Sequence, residues 1–304
     1  MTDLTVRIGR LTLKNPVLTA SGTFGYGPEY ADYVDLNRLG GLITKTITLE
    51  PRGGNPMPRI AEMPAGMLNS IGLANVGVER YLAEKLPLLE KYETAVIANL
   101  AGSTVEEYAR VVMKVQKHPR VDGIEVNVSC PNVRKGGLAF GTDPDVLCEL
   151  VRSVRSETDK TVIVKLSPNV TDIRPVAMAA ASGGADALSL INTVMGMGID
   201  IRTRKPLISR ITAGLSGPAI KPIAMAKVYE AAQAVDLPLI GIGGIMNGED
   251  AVEFLMAGAS AVQVGTLNFV DPAGCLKVLE GIETFCREQG IAKVSDLVGA
   301  MDHG

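Results

Sequence analysis

Residues 95–128 read AVIANLAGSTVEEYARVVMKVQKHPRVDGIEVNV, and their pattern decides the fold class. The run 95–100 is short and mostly apolar, and 123–128 is a second such run rich in Ile and Val. Between them, 104–117 spaces its apolar residues with a helical period. Ser103 and Thr104, followed by Glu106 and Glu107, supply the side-chain acceptors and early acidic charge that open a helix. Strand, helix and strand in this order predict two parallel strands joined by a crossover.

The alternation continues in both directions. Further candidate strands are 16–20, 42–46, 162–166, 187–191, 239–243 and 261–265, and helix-like stretches occupy 143–158, 172–182, 219–235, 248–256 and 272–288. Thr142-Asp143-Pro144 starts one helix with proline in its first turn, while Gly183-Gly184 and Gly258 mark ends. Eight strands with crossovers fit a (β/α)8 TIM barrel, a fold of about 250 residues, and the chain reads as one domain, 1–304. An open doubly wound sheet is the competing architecture, because strand number alone does not force closure. The opening segment 4–13, LTVRIGRLTL, alternates like an N-terminal β-hairpin covering the barrel floor. Two connections, 48–74 and 194–216, are too long for simple barrel loops and are expected as lid loops over the C-terminal mouth.

Composition narrows the function. With 46% hydrophobic and 21% charged residues and a net charge of −3, the chain can bury a large core and has no basic field for nucleic acid or anionic membranes. No apolar run reaches the roughly 18 residues of a membrane span, and MTDLTVRIGR lacks a signal-peptide pattern, so a cytoplasmic protein is expected. The four cysteines, Cys130, Cys148, Cys275 and Cys286, form no CxxC pair, and a reducing compartment argues against disulfides. With only two histidines, His118 and His303, neither a histidine triad nor a histidine metal site is expected.

In a TIM barrel the C-terminal strand ends face the active-site mouth. Here those ends carry Ser21, Lys45 and Thr46, Asn99, Asn127 with Cys130 and Asn132, Lys165 with Ser167, and Asn192-Thr193. Gly241-Ile-Gly243-Gly244 and Gly265-Thr266 close the last two strands, the place where barrels hold a phosphate on backbone N–H groups. Met246 stands where a dinucleotide fingerprint requires glycine, so that motif is absent. Asn69, Asn99, Asn127 and Asn192 can hydrogen-bond a planar, amide-rich ring, and Lys45 and Lys165 can balance anionic charge. A phosphate-anchored ring inside a barrel suggests flavin mononucleotide (FMN). By itself a cysteine such as Cys130 is more often a buried filler than a catalyst.

The motifs Ala20-Ser-Gly-Thr-Phe-Gly25, Asn69-Ser-Ile-Gly-Leu-Ala-Asn75, Asn127-Val-Ser-Cys-Pro-Asn132, Lys165-Leu-Ser-Pro-Asn169 and Gly214-Leu-Ser-Gly-Pro218 together resemble class 1 dihydroorotate dehydrogenases, in order and over nearly the whole chain. Gly136-Gly137 and Phe140-Gly141 resemble the NAD-linked 1B subgroup. The resemblance implies oxidation of dihydroorotate to orotate in pyrimidine biosynthesis, with Cys130 as catalytic base at C5 and a hydride passing from C6 to FMN. It implies substrate contacts from Lys45, Asn69, Ser70, Ile71, Gly72, Leu73, Asn127, Asn192 and Thr193. It further implies that Ser21, Lys45, Thr46, Asn99, Asn127, Lys165, Ile191, Gly217, Gly243, Gly244, Gly265 and Thr266 hold FMN. A 1B resemblance also implies a partner subunit carrying FAD and a 2Fe-2S cluster, passing electrons to NAD in a heterotetramer of two catalytic and two partner chains. The alternatives are a 1A-type homodimer using fumarate, a dihydropyrimidine dehydrogenase-like flavoenzyme, a phosphate-binding barrel lyase with Lys165 as Schiff-base amine, and a non-catalytic binding barrel.

Overall fold

The computed structural model describes residues 2–129, 140–302 and 304. The chain opens with an antiparallel hairpin of β1 (Val6–Ile8) and β2 (Leu11–Leu13). β3 (Val17–Thr19) and β4 (Gly41–Ile43) follow, then β5 (Ile60–Met63) and β6 (Gly66–Asn69). After these come β7 (Ala95–Leu100), β8 (Gly123–Asn127), β9 (Thr161–Lys165) and β10 (Ala187–Leu190). A second excursion carries β11 (Val194–Gly196), β12 (Ile199–Asp200), β13 (Lys205–Pro206) and β14 (Ala213–Ser216), before β15 (Leu239–Ile242) and β16 (Ala261–Val264).

Eight of these strands, in the order β3-β4-β7-β8-β9-β10-β15-β16, pair in parallel and close on themselves where β16 meets β3. Closure excludes the open sheet. Every residue of β8 and β9 is buried, as expected when helices cover one face and the barrel interior the other. The crossovers include α1 (Gly77–Arg80), α2 (Val105–Val115), α3 (Pro144–Ser156), α4 (Arg174–Ser182), α5 (Lys221–Ala232), α6 (Gly248–Met256), α7 (Leu267–Val270) and α8 (Gly274–Glu288). The start signal of α2 works as its sequence suggests. Thr104 caps the Glu107 N–H, and the Glu107 carboxylate takes the Ser103 N–H at 2.6 Å. Asp143 caps α3 ahead of Pro144.

The hairpin does plug the barrel's N-terminal end. The Arg10 N–H donates to Thr161 Oγ1 at the start of β9, and Leu11 packs beneath Gly123 at the start of β8. The two long connections differ from plain loops. Their strands join into one antiparallel sheet, β5-β6-β14-β11, with a small core of Leu68, Ile208 and Ala213. Because the partners lie about half the chain apart (Asn69 pairs with Gly214), no local pattern announces the sheet. Two crossovers also depart from the expected pattern. β3 and β4 are linked only by short turns around Pro28–Tyr30 and Leu36–Arg38, filled by the stacked rings of Phe24 and Tyr30. A helical stretch at Gly77–Arg80, Tyr81–Lys85 and Leu86–Leu89 has its period interrupted by Pro87.

Candidate active site

The sequence-predicted residues meet at one cavity. Ser21, Lys45, Thr46, Asn69, Ile71, Leu73, Asn127, Lys165, Ile191, Asn192, Thr193, Gly217, Gly243, Gly244, Gly265 and Thr266 all line it. Three do not. Ser70 and Gly72 stand behind the loop, where Asn55 donates to the Ser70 hydroxyl at 2.8 Å and packs against Gly72. Asn99 is fully buried on β7. Cys130 and Asn132 lie outside the described residues.

An amide cluster occupies the β8 and β10 ends. The Asn192 side-chain NH2 donates to Asn127 Oδ1 at 3.2 Å and to Ser129 Oγ at 2.8 Å. Asn127 Oδ1 also receives the Ser129 N–H, and the Asn127 backbone carbonyl accepts from the buried Tyr108 hydroxyl at 2.6 Å. Asn192 Oδ1 receives the Thr193 N–H at 2.8 Å. These bonds fix both amide planes before any ligand arrives, which reduces the entropy lost on binding. Asn69 reaches across the lid sheet to the Gly214 carbonyl at 3.3 Å. Asn169, after β9, ties the second excursion down by donating to the Thr193 carbonyl and accepting from the Met195 N–H.

Two lysines give the cavity positive charge. Lys165 is almost wholly buried, and its ammonium donates to Ser21 Oγ at 3.3 Å. Burial, and to a lesser degree the nearby Arg59 charge, pushes the Lys45 ammonium below its ordinary value. Arg59 is itself bound to the Asn55 carbonyl, so its charge sits on the loop that borders the cavity.

Gly243 and Gly244, following β15, take φ of +129° and +74°, a conformation that L side chains rarely adopt. A Cβ at Gly244 would stand 2.7 Å from Lys221 Cβ. Lys221 is anchored in turn by Asp250 at 2.5 Å and Glu253 at 3.0 Å, and Asp250 also accepts the Met246 N–H. The glycine turn is thus braced from α5 and α6. A Cβ at Gly265 would meet Ala20 Cβ at 3.5 Å, an ordinary contact, so glycine there is not demanded by its neighbours in the protein. Its lack of a side chain on the cavity wall suits a ligand lying close to the backbone.

Sequence reasoning missed Ile60 and Met67 on the lid strands and Phe269 on α7, which also line the cavity. Ile60 and Met67 sit in a stretch with no strand signature of its own. Phe269 is exposed at the mouth, and its place three residues after Thr266 at the last strand end was the available signal.

The residues present fit FMN. The isoalloxazine ring carries both N–H and C=O groups, and the cavity offers neutral amides and two ammonium groups. Asn99 Oδ1, buried and without a hydrogen-bond partner among the described residues, is an acceptor that a ring N–H can satisfy. The braced glycine turn and the side-chain-free backbone at Gly265, both on the cavity wall, suit a phosphate held by backbone N–H groups.

Comparison with known proteins agrees with this chemistry. The family model described as dihydroorotate dehydrogenase matches residues 3–286, so the chain belongs to that family of oxidoreductases. The dihydroorotate dehydrogenase B (NAD(+)) catalytic subunit of Geotalea uraniireducens is 56% identical over 299 residues, 98% of each chain. The protein of the same name from Bacteroides fragilis is 51% identical over 302 residues, 99% of this chain and 100% of the relative. In three dimensions the chain resembles the dihydroorotate dehydrogenase of Eimeria tenella, solved in complex with ferulenol. The TM-score is 0.80 at 23% identity, over 98% of this chain and 88% of that one, a likeness of fold.

Proposed function

We propose that this chain is the catalytic subunit of an NAD-linked dihydroorotate dehydrogenase, oxidising dihydroorotate to orotate in pyrimidine biosynthesis. The observation that carries the reading is the convergence of Lys45, Asn69, Asn127, Asn192 and Lys165 on one cavity beside a braced glycine turn. FMN, when bound, supplies the hydride acceptor. Gly243, Gly244, Gly265 and Thr266 hold its phosphate, and Lys165, Asn99, Asn127 and Thr46 hold its ring.

Asn69, Asn127, Asn192 and Thr193 would orient the substrate ring through its amides, and Lys45 would meet its carboxylate. Neutral amides recognise a neutral ring without leaving a buried charge unpaired. Cys130, next to the Asn127–Ser129 network in sequence, takes the C5 proton onto Sγ. The C–H electron pair at C5 forms the C5=C6 double bond as the C6 hydride departs, so two electrons and one proton leave with the hydride and one proton stays on sulfur. A cysteine thiol, with an ordinary pKa of about 8.5, is within reach of this role near neutrality. Lid residues Ile60, Met67 and Leu73 exclude water from the reacting edge.

The described residues contain no helix long and apolar enough to cross a membrane. The chain works in the cytoplasm, with an FAD and 2Fe-2S partner in a heterotetramer of two catalytic and two partner chains.

The test is purification followed by flavin absorbance and dihydroorotate oxidation with several acceptors. The expected result is a yellow protein that reduces NAD only when co-expressed with its partner. Cys130→Ala should stay yellow and lose about 10²–10⁴-fold in turnover at every pH tested. A colourless protein indifferent to FMN overturns the reading. NAD reduction by the lone chain, or efficient fumarate use, overturns the NAD-linked assignment.

A further inference from the structure

Beneath the cavity lies a carboxylate with no assigned role. Glu125 is on β8, two residues before Asn127 on the same inward face, and is fully buried. Three neutral donors converge on it. Asn99 Nδ2 reaches Glu125 Oε2 at 2.5 Å, while Ser189 Oγ and Gln263 Nε2 reach Oε1 at 2.8 and 2.6 Å. These donors come from β7, β10 and β16, so the carboxylate ties together four of the eight barrel strands. Among the described residues it makes no ion pair.

An ionised carboxylate only accepts, whereas an amide has a donating end and an accepting end. Glu125 therefore holds the NH2 ends of Asn99 and Gln263 and dictates which way their carbonyls turn. Both carbonyl oxygens, Asn99 Oδ1 and Gln263 Oε1, are buried and have no hydrogen-bond partner among the described residues. A buried acceptor without a partner is costly, so it is retained where something else satisfies it. Asn99 pairs in register with Glu125, and the next inward residue of β8, Asn127, lines the cavity. Asn99 Oδ1 thus belongs to the layer directly under the ring-binding space.

We propose that Glu125 is a positioning residue that sets the amide of Asn99, so that Oδ1 stands as a fixed acceptor for an N–H donor of the cofactor's ring. The proposal rests on the FMN reading above. Ser189 and Gln263 share the task by holding the carboxylate on its other oxygen. The anion is needed here because a neutral partner could donate as well as accept, and would leave the Asn99 orientation undetermined.

The experiment measures FMN binding to flavin-stripped protein by fluorescence titration, with apoprotein thermal unfolding as the control for folding. In Glu125→Gln, the side chain gains an NH2 that can face Asn99, and an Asn99 amide turned over to meet it presents a donor where an acceptor is required. FMN affinity should fall about 10- to 100-fold, and the flavin reduction potential should shift with it. The double variant Glu125→Gln/Asn99→Asp keeps the charge of the pair and restores an acceptor on both sides of residue 99. It should recover FMN affinity to within about threefold of the parent.

Unchanged affinity in Glu125→Gln overturns the proposal, and so does failure of the double variant to recover a loss. Should Glu125→Gln fail to fold, Asn99→Leu decides, because the proposal requires a similar loss there and unchanged affinity sinks it. A parent protein that does not bind FMN refutes the cofactor reading itself and is recognised before any variant is made.

Discussion

The barrel wall and the lid sheet are both β-structure, yet different forces hold them. Strands β7 to β10 are buried almost throughout and packed between inner side chains and outer helices. The lid strands β5, β6, β11 and β14 are largely half-buried or exposed, and their own core is Leu68, Ile208 and Ala213. The wall carries the glycine turn, the amide cluster and Lys165; the lid carries Asn69, Ile60 and Met67. Cofactor retention is therefore a task for the stable part of the molecule and substrate closure for the part that opens most cheaply.

Substitution of equivalent leucines tests that division most strongly. Leu188→Ala, in fully buried β10, should cost about 2–5 kcal/mol of global stability in denaturant titrations. Leu68→Ala, almost as buried but in the lid, should leave the global midpoint nearly in place. It should instead accelerate amide exchange across 60–69 and 213–216 and raise the substrate KM. Equal global losses would erase the distinction.

The contact between lid strands β6 and β14, beside Gly217 on the cavity wall, comes next. A Cβ at Gly66 would lie 2.0 Å from the Ser216 carbonyl oxygen, and one at Gly217 would lie 2.6 Å from Gly66 Cα. Gly66→Ala should push β6 from β14 at a local cost of about 1–3 kcal/mol, seen as a raised KM with flavin still bound. Loss of flavin instead would show that this contact belongs to the wall.

Lys45 gives a smaller, pH-dependent effect. Its folded-state value lies below the unfolded value of 10.5, so the folded protein carries a penalty for the ammonium at neutral pH. That penalty is fully present below the folded value and fades as pH rises toward 10.5. Lys45→Met should raise apoprotein melting temperature at neutral pH, with the gain shrinking in alkali, while substrate binding is lost. A constant gain across pH would show that packing, not charge, is responsible.

Smallest of all is cysteine reactivity. Burial pushes the Cys275 thiol up to about 12, and Cys286 is raised by the same cause, whereas Cys148 is half exposed. Mass-mapped alkylation of the folded protein should spare Cys275 and Cys286 and label Cys148. Rapid labelling of Cys275 would mean that the wall opens as readily as the lid.

Much of the wall was legible because parallel barrel strands write their burial as continuous Val/Ile runs. The strand-end residues were legible because Asn, Lys and Gly there serve no packing purpose. Boundaries were less so: the second strand was expected at 42–46 but is Gly41–Ile43, leaving Thr44, Lys45 and Thr46 beyond its end. The lid sheet was hidden because its pairings span the chain and its strands alternate weakly. Glu125 escaped notice because an acidic residue inside a run of Ile and Val signals nothing until three donors from other strands are seen to meet it.

The hairpin that plugs the barrel floor has a consequence for the order of events. With the far end covered by β1 and β2, the cavity among the described residues lies at the C-terminal strand ends, with Asn99 and Glu125 buried beneath it. Whatever enters last blocks whatever lies beneath. On the function proposed above, the cofactor's ring lies beneath the substrate, so it is loaded first and the molecule nearest the lid exchanges above it.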